Sequence, residues 1–413
     1  RYDRFVMFDP ETRSLVRIGS GIDKVYEENN KNFQPRVGIA WDPFGDAKTS
    51  VRAAYAILTD QPVTNVVTPL TSNPPLATPL TFTGPVTFAN AVTVAGLAGL
   101  APNTVDLGFN NAYVQSWNLN IQRELGRDIG MTVGYFGAKG THLRISRNIN
   151  QPINGVRPIP TVSASSEIRP GAPLNNIVQI EGTGNSSYNA LWLTANKRFS
   201  RGFQFNASYT FSKSIDYNSL NSQGIVVQDS YNLRGSRGLS DFDARHRFVI
   251  SGLYELPFRG NALIEGWQLS TIVQSQTGNP VNIVVNNAGF TGTNNTVRPD
   301  VTGPIEILGT PNRWFDISPF VVPVGRFGNL GRNVVIGPGF NNTDFSVIKR
   351  TKLTESQLIE FRWEVFDLFN HANFGQPGRV VGTANFGQIT NTRFPTGDSG
   401  SSRQMQFALK YKF

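Results

Sequence analysis

Apolar and polar side chains alternate with a period of two residues along many segments of this chain. The clearest case is 203–212, where odd positions carry Phe, Ala or Tyr and even positions carry Gln, Asn, Ser or Thr. The last nine residues repeat the pattern and end on an aromatic residue, Phe413. Because successive side chains of a strand point to opposite faces, the pattern predicts strands with one apolar and one polar face.

The same pattern predicts an all-β chain of about eleven strands. Most of them pair as hairpins. The predicted segments are 33–59, 112–145, the strand before Ser200 with 203–212, 241–256 with 263–277, 342–352 with 357–371, and a final strand at 402–413.

The connections between these strands alternate between short and long. Short turns are predicted at Gly45-Asp46-Ala47, Gly126-Arg127, 200–202, 257–262 and 353–356, and long segments at 61–111, 146–185, 217–240, 278–341 and 373–401. This asymmetry is typical of outer-membrane β-barrels, which have short periplasmic turns and long extracellular loops. The fold class is therefore expected to be a transmembrane antiparallel β-barrel.

The parity of the strands bears on the domain organisation. If short turns are periplasmic, the first and the last predicted strands both run towards the periplasm, which gives an odd number. Bacterial barrels normally have an even number of strands. We therefore expect residues 1–32 to be the tail of an extracellular loop, residues 33–413 to be the carboxy-terminal part of a barrel, and a plug and signal peptide to be absent from this chain.

Composition excludes several other classes. The 413 residues contain 40 Gly and 25 Pro, only 16% are charged, and no apolar stretch is long enough for a transmembrane helix. The absence of Cys excludes disulfides and thiolate catalysis. The net charge of +9 is scattered rather than gathered into a basic stripe, so we expect no nucleic-acid partner. We also expect no cofactor.

Charged residues at 241–247 are the first candidate site. Asp241, Asp243, Arg245 and Arg247 share one face of a predicted strand, and His246 lies on the other. Two carboxylates on one face could ligate a metal ion. The favoured interpretation is a ladder of opposite charges on the polar inner face of the barrel.

Glu360, Arg362 and Glu364 alternate with apolar residues in the same way. Paired carboxylates suggest glycoside hydrolysis, but an arginine stands between them and nothing indicates a cleft. A lumen row of charges is again favoured, and we expect no catalytic residue and no enzyme. The three histidines lie in three different hairpins, so no metal site is predicted: His142, His246 and His371.

Three aromatic residues in the segment 278–341 are candidates for binding an extracellular ligand. Trp314, Phe315 and Phe320 lie in one of the longest predicted loops, and loops often carry function. The alternatives are that they anchor the loop at the membrane interface or pack it on itself.

Several sequence blocks, taken together and in order, resemble a known family. They are residues 32–44 (NFQPRVGIAWDPF), 118–125 (NLNIQREL), 134–142 (GYFGAKGTH), 188–193 (YNALWL), 243–248 (DARHRF) and 361–374 (FRWEVFDLFNHANF). They resemble the carboxy-terminal half of TonB-dependent outer-membrane receptors of the Oar-like kind, which carry a carboxypeptidase-regulatory-like domain.

The resemblance implies a barrel of twenty-two strands in the outer membrane, of which this chain supplies about the last eleven. It implies uptake of an unidentified extracellular substrate, driven by the TonB complex through a plug domain. A passive porin or a surface adhesin is the main alternative, and an outer-membrane or glycan-acting hydrolase is a weaker one. The final strand resembles the β-signal that the barrel-assembly machinery reads, with Phe407, Leu409, Tyr411 and Phe413 on its apolar face.

Overall fold

The computed structural model describes residues 5–62, 64–77, 80–82, 85–90, 95–126, 128–219, 227–286, 296–393 and 402–413. Its largest element is an antiparallel sheet with eleven successive strands. They are β1 (Arg36–Trp41), β2 (Thr49–Thr59), β3 (Tyr113–Leu125), β4 (Ile129–Asn148), β5 (Val178–Ser200), β6 (Phe203–Asp216), β7 (His246–Glu255), β8 (Trp267–Gln276), β9 (Phe340–Lys352), β10 (Leu358–Phe366) and β11 (Gln404–Lys412).

Each strand of this sheet pairs with its neighbour in the chain, from β1 at one end to β11 at the other. Two short segments are added to it: Asn103–Val105 pairs with β5 in parallel, and Gly238–Leu239 pairs with β6. The all-β class and the predicted order of strands are confirmed. Within the described residues, β1 and β11 do not pair with each other.

Several predicted boundaries were wrong. The strand predicted from 241 begins at His246, its partner begins at Trp267 rather than 263, and β10 ends at Phe366. In the opposite direction, β4 and β5 extend into the segment 146–185 that was predicted to be a loop. Arg127 of the predicted turn lies outside the described residues.

The sheet has an apolar face and a polar face. One row across the apolar face joins paired residues of six strands: Ile39, Ala53, Leu119, Tyr135, Leu191 and Phe211. At the other end of the sheet, Trp363 of β10 pairs with Phe407 of β11. Most of these side chains are exposed in the isolated chain, Phe407 by 70%, so the face matches a lipid environment rather than water.

The connections lie at the two ends of the sheet according to length. Short connections lie at 42–48, 201–202, 256–266 and 353–357, and the described residues Gly126 and Asp128 flank the one between β3 and β4. The tightest has only Arg201 and Gly202 between the strands, both with positive φ, as a two-residue hairpin turn requires. At the opposite end the connections are long, as predicted. Among the described residues, no helix is long and apolar enough to cross a membrane.

The long connections fold into a loop layer, which we define as residues 5–32, 60–112, 149–177, 217–245, 277–339 and 367–403, where described. It contains most of the fully buried apolar side chains of the molecule. They form one pair of adjoining clusters around Met7 and Phe8 and another cluster around Phe315. The segment 1–32, predicted as a plain loop tail, contributes a hairpin of Val6–Asp9 and Ser14–Arg17 to this layer.

Candidate functional site: the loop layer and the polar face

The first lobe of the loop layer is built around the hairpin of Val6–Asp9 and Ser14–Arg17. Its alternation places Met7 in one apolar cluster and Phe8 in the other, so the short sheet is buried on both faces. Asn73 fixes the hairpin to the next segment, because its Nδ2 donates to the carbonyls of Val6 at 2.7 Å and Asn103 at 2.8 Å. A buried amide with partners on both sides holds a loop in one position.

The second lobe of the loop layer consists of the described residues of 277–339 and 367–393, and it has an aromatic centre. Phe315, Phe320 and Phe386 form a triangle in which ring centroids are 5.4 to 5.6 Å apart and the rings meet edge to face. Phe315 is fully buried, and Trp314 Nε1 donates to the carbonyl of Ile336 at 2.8 Å. The three aromatic residues considered for ligand contact therefore serve to pack the loop on itself in this conformation. Contact with a ligand stays a prediction.

A buried arginine joins two of the long connections to the sheet. Arg332 donates to Asp216 Oδ1 at 2.6 Å, to Ser219 Oγ at 2.8 Å and to Asp241 Oδ1 at 2.9 Å. Asn333, the next residue, donates to the carbonyl of Leu239 and to Asp241. We call this set the Arg332 clamp. No sequence pattern pointed to Arg332, because its partners are remote in the chain.

The clamp corrects the interpretation of 241–247 as a ladder along one strand. Asp241 and Asp243 precede β7, and Asp243 accepts from the backbone N–H of Ser214 at 2.6 Å. Arg245 approaches Asp243 at 3.9 Å and lies over the ring of Phe211. Only Arg247 and His246 belong to the strand. His246 stacks on Tyr209 on the apolar face.

A second buried arginine in the loop layer has no carboxylate partner among the described residues. Arg298 donates from Nε to the carbonyl of Leu330 and from Nη2 to the carbonyl of Gly235, both at 2.8 Å. Burial, with a smaller effect of the nearby Arg332 charge, lowers the pKa of Arg298 to about 10. It remains protonated at neutral pH and ties two of the long connections, 217–245 and 277–339, together through their backbone.

The other charged row lies in the wall of the sheet. Glu360 is buried and accepts from Arg350 Nε at 2.8 Å and Arg362 Nε at 2.7 Å. Glu364 accepts from the side chain of Gln406 on β11. Glu360, Arg362 and Glu364 lie on the polar face, because they alternate along β10 with Phe361 and Trp363, which lie on the apolar face. The two glutamates have separate partners, and no geometry here brings them together for acid–base chemistry.

A recess on the polar face was missed by the sequence reasoning. It has a volume of about 430 Å³ and is lined by Phe136, Tyr188 and Trp192 with the amides of Asn118 and Asn120. The indole of Trp192 lies directly over Gly134, which has no side chain to obstruct it. The only available signal was the presence of aromatic residues at positions where the alternation calls for polar ones.

The described residues contain no group of three or more acidic, His or Cys side chains placed to hold a metal ion. The carboxylates of the candidate rows instead accept hydrogen bonds from arginines, side-chain amides or backbone N–H groups. What the arrangement offers is a packed loop layer at one end of the sheet, with an amphipathic aromatic recess on the polar face of that sheet.

Comparison with known proteins assigns this architecture to a protein family. Residues 1–406 match the family described as the outer membrane beta barrel domain. The chain belongs to this family. It is therefore a protein of the outer membrane, in which the apolar face meets lipid, the short turns face the periplasm and the loop layer faces outward. No curated protein matches the chain.

Solved structures of outer-membrane proteins are similar in fold. The outer membrane transporter YddB of Escherichia coli has a TM-score of 0.50 at 10% identity, over 92% of this chain and 40% of the transporter. The siderophore receptor PiuA of Acinetobacter baumannii has a TM-score of 0.46 at 11% identity, over 91% and 35%. The pyoverdine receptor FpvA of Pseudomonas aeruginosa has a TM-score of 0.46 at 11% identity, over 92% and 36%. The chain thus spans less than half the length of each of them.

Proposed function

We propose that this chain is the carboxy-terminal half of the barrel of a TonB-dependent, Oar-like outer-membrane receptor. Its sheet would form half of the wall, and its loop layer would form half of the outer surface that captures a substrate. The single observation that carries the proposal is the combination of an eleven-strand meander, apolar on one face and polar on the other, with a densely packed loop layer at one end only.

The packing of the loop layer favours a receptor over a passive pore. Loops that merely connect strands need little internal core, whereas these connections bury Phe8, Phe315 and two arginines. A packed layer holds its surface in one shape, which is what specific capture requires. The aromatic recess on the polar face would be a second contact for a substrate on its way through the lumen, and TonB would drive release through a plug domain.

The assembly of this barrel gives the terminal strand a second role. Phe407, Leu409, Tyr411 and Phe413 lie on the exposed apolar face, and β11 has an unpaired edge within the described sheet. An open edge of this kind suits recognition by strand addition. We propose that these residues form the signal for the barrel-assembly machinery and afterwards contact the lipid near the periplasmic surface.

The test uses the full-length protein encoded by the gene, purified and inserted into planar lipid bilayers. We expect no steady ion conductance, because a plug would close the lumen, and we expect binding to the periplasmic domain of TonB in a pull-down. A constant ohmic conductance without TonB binding would identify a passive porin. A closed barrel that neither binds TonB nor takes up solute, but mediates adhesion of cells, would identify an adhesin.

A further inference from the structure

Two lysines stand on the lipid-facing side of the sheet, close to its outer end. One row of the apolar face contains Tyr135, Leu191 and Phe211. Lys213 of β6 is the next residue on that face after Phe211, and Lys139 of β4 follows Tyr135 after one intervening residue of the face, Gly137. Both lysines are exposed. Neither forms an ion pair with a carboxylate of the described residues. Lysines on this face are costly in the hydrocarbon and are tolerated only near the headgroups.

The residues between the two lysines are polar and uncharged. The intervening strand β5 places Ser187 beside Lys139 and Asn189 beside Lys213. The hydroxyl of Tyr135 donates to Asn189 Oδ1 at 2.6 Å, which orients the amide and leaves its Nδ2 donors without a partner among the described residues. The four residues Lys139, Ser187, Asn189 and Lys213 are here called the rim patch.

The rim patch has a positive charge that nothing on its own face neutralises. The paired segments Ile129–Lys139, Ser187–Lys197 and Phe203–Ile215 place no Asp or Glu on the apolar side of these three strands. The two lysines are separated by two strand spacings across the sheet and by two residues along the strands, which together come to roughly 12 Å. An anionic group that approaches from the side of the membrane therefore meets two cations and two hydrogen-bonding side chains between them.

We propose that the rim patch binds the phosphorylated sugar headgroup of a lipid in the outer leaflet. The ammonium groups would contact phosphates, Asn189 and Ser187 would hydrogen-bond to sugar hydroxyls, and the acyl chains would lie along Tyr135, Leu191 and Phe211 below. The proposal commits to a membrane lipid rather than a free phosphate compound, because the apolar row is continuous with the patch. It rests on the outer-membrane location and not on the transport function.

The experiment compares the full-length wild type with the double variant Lys139→Gln, Lys213→Gln. Both are placed in nanodiscs that contain phosphorylated lipid A or the same lipid A without phosphates, and bound lipid is counted by native mass spectrometry. The matched control is Lys352→Gln, an exposed lysine on the polar face at the short-turn end of β9. Inorganic phosphate is added in a separate arm.

We expect the double variant to retain phosphorylated lipid A roughly 25-fold less than the wild type and the Lys352→Gln control, given a factor of about five for each lysine near a charged membrane surface. The wild type should retain the dephosphorylated lipid as poorly as the double variant does. Equal retention by the wild type and the double variant, equal retention of both lipids, or displacement by millimolar inorganic phosphate would overturn the proposal.

Discussion

The guanidinium of Arg332 donates to Asp216 Oδ1 at 2.6 Å across a separation of 116 residues in the chain. Both side chains are almost inaccessible, with 7% and 5% of their surface exposed. The pair joins the end of β6 to the connection between β8 and β9. It is one of the contacts that anchor the loop layer to the wall, and Asp241 and Asn333 extend it to a further connection.

Arg332→Ala should therefore release part of the loop layer without unfolding the barrel. The substitution leaves Asp216 buried and unpaired, which typically costs about 3–5 kcal/mol. We expect rapid proteolytic cleavage in 277–339, while the barrel keeps its resistance to SDS at room temperature. Arg332→Lys keeps the charge but cannot reach Asp216 and Asp241 together, so its rate of cleavage should lie between those of the wild type and Arg332→Ala. Cleavage at the wild-type rate in both variants would contradict the anchoring role.

Gly134→Ala should destabilise the wall. A methyl group at this position overlaps with the indole of Trp192 and the amide of Asn120, both on the polar face. Overpacking of this kind costs typically 1–3 kcal/mol. The control is Gly130→Ala on the same strand and the same face, where an added Cβ meets nothing within 4 Å. The measurement is the temperature at which the barrel loses its folded mobility on gels, and equal values for the two variants would refute the prediction.

The second lobe of the loop layer should loosen in acid. Arg326 donates two hydrogen bonds to Asp300, at 2.8 and 2.7 Å, and holds the pKa of that carboxyl below its usual value. Because the folded-state pKa is lowered, the stabilisation is present above the unfolded pKa of about 3.9 and is lost as the pH falls through the folded value. We expect cleavage in 296–339 to rise below about pH 4.

The variant Arg326→Gln provides the control for this acid sensitivity. It lacks the cation that lowers the pKa of Asp300, so its proteolysis at neutral pH should already be faster and should depend less on pH. An unchanged pH profile in Arg326→Gln would show that another carboxyl governs the transition.

Phe413→Ala should reduce assembly into the outer membrane. The side chain is 93% exposed in the isolated chain, and its one ring contact is with Tyr411 on the same exposed face at 5.8 Å between centroids. Its removal therefore costs little packing within the described residues, and the loss would act through recognition of β11. We expect a several-fold lower amount of heat-modifiable barrel in outer-membrane fractions. Lys412→Gln, at an exposed position on the opposite face of the same strand, should assemble normally. Equal assembly of both variants with the wild type would remove the signal role.

The sheet and the loop layer differ in how far the sequence predicts them. The alternation of Leu191 and Leu193 with Trp192 and Thr194 is visible in the sequence, and it correctly gives the strand and its apolar face. Polar residues such as Asp241 and Asp243 mimic that alternation by chance, which is why β7 was predicted to begin too early. Trp192 shows the converse case, because an aromatic residue on the polar face is explained only by Gly134 on the neighbouring strand.

The sequence by itself determined the all-β class, the order of the strands and their assignment to lipid-facing and polar faces. These features depend on neighbours one or two residues away and on the lengths of the connections, all of which are local. Only the tertiary structure decided that the long connections pack into a layer, that Arg332 and Arg298 anchor it, and that Phe315 lies in its core. Those contacts form between segments far apart in the chain, and no periodicity along the sequence records which segments will meet.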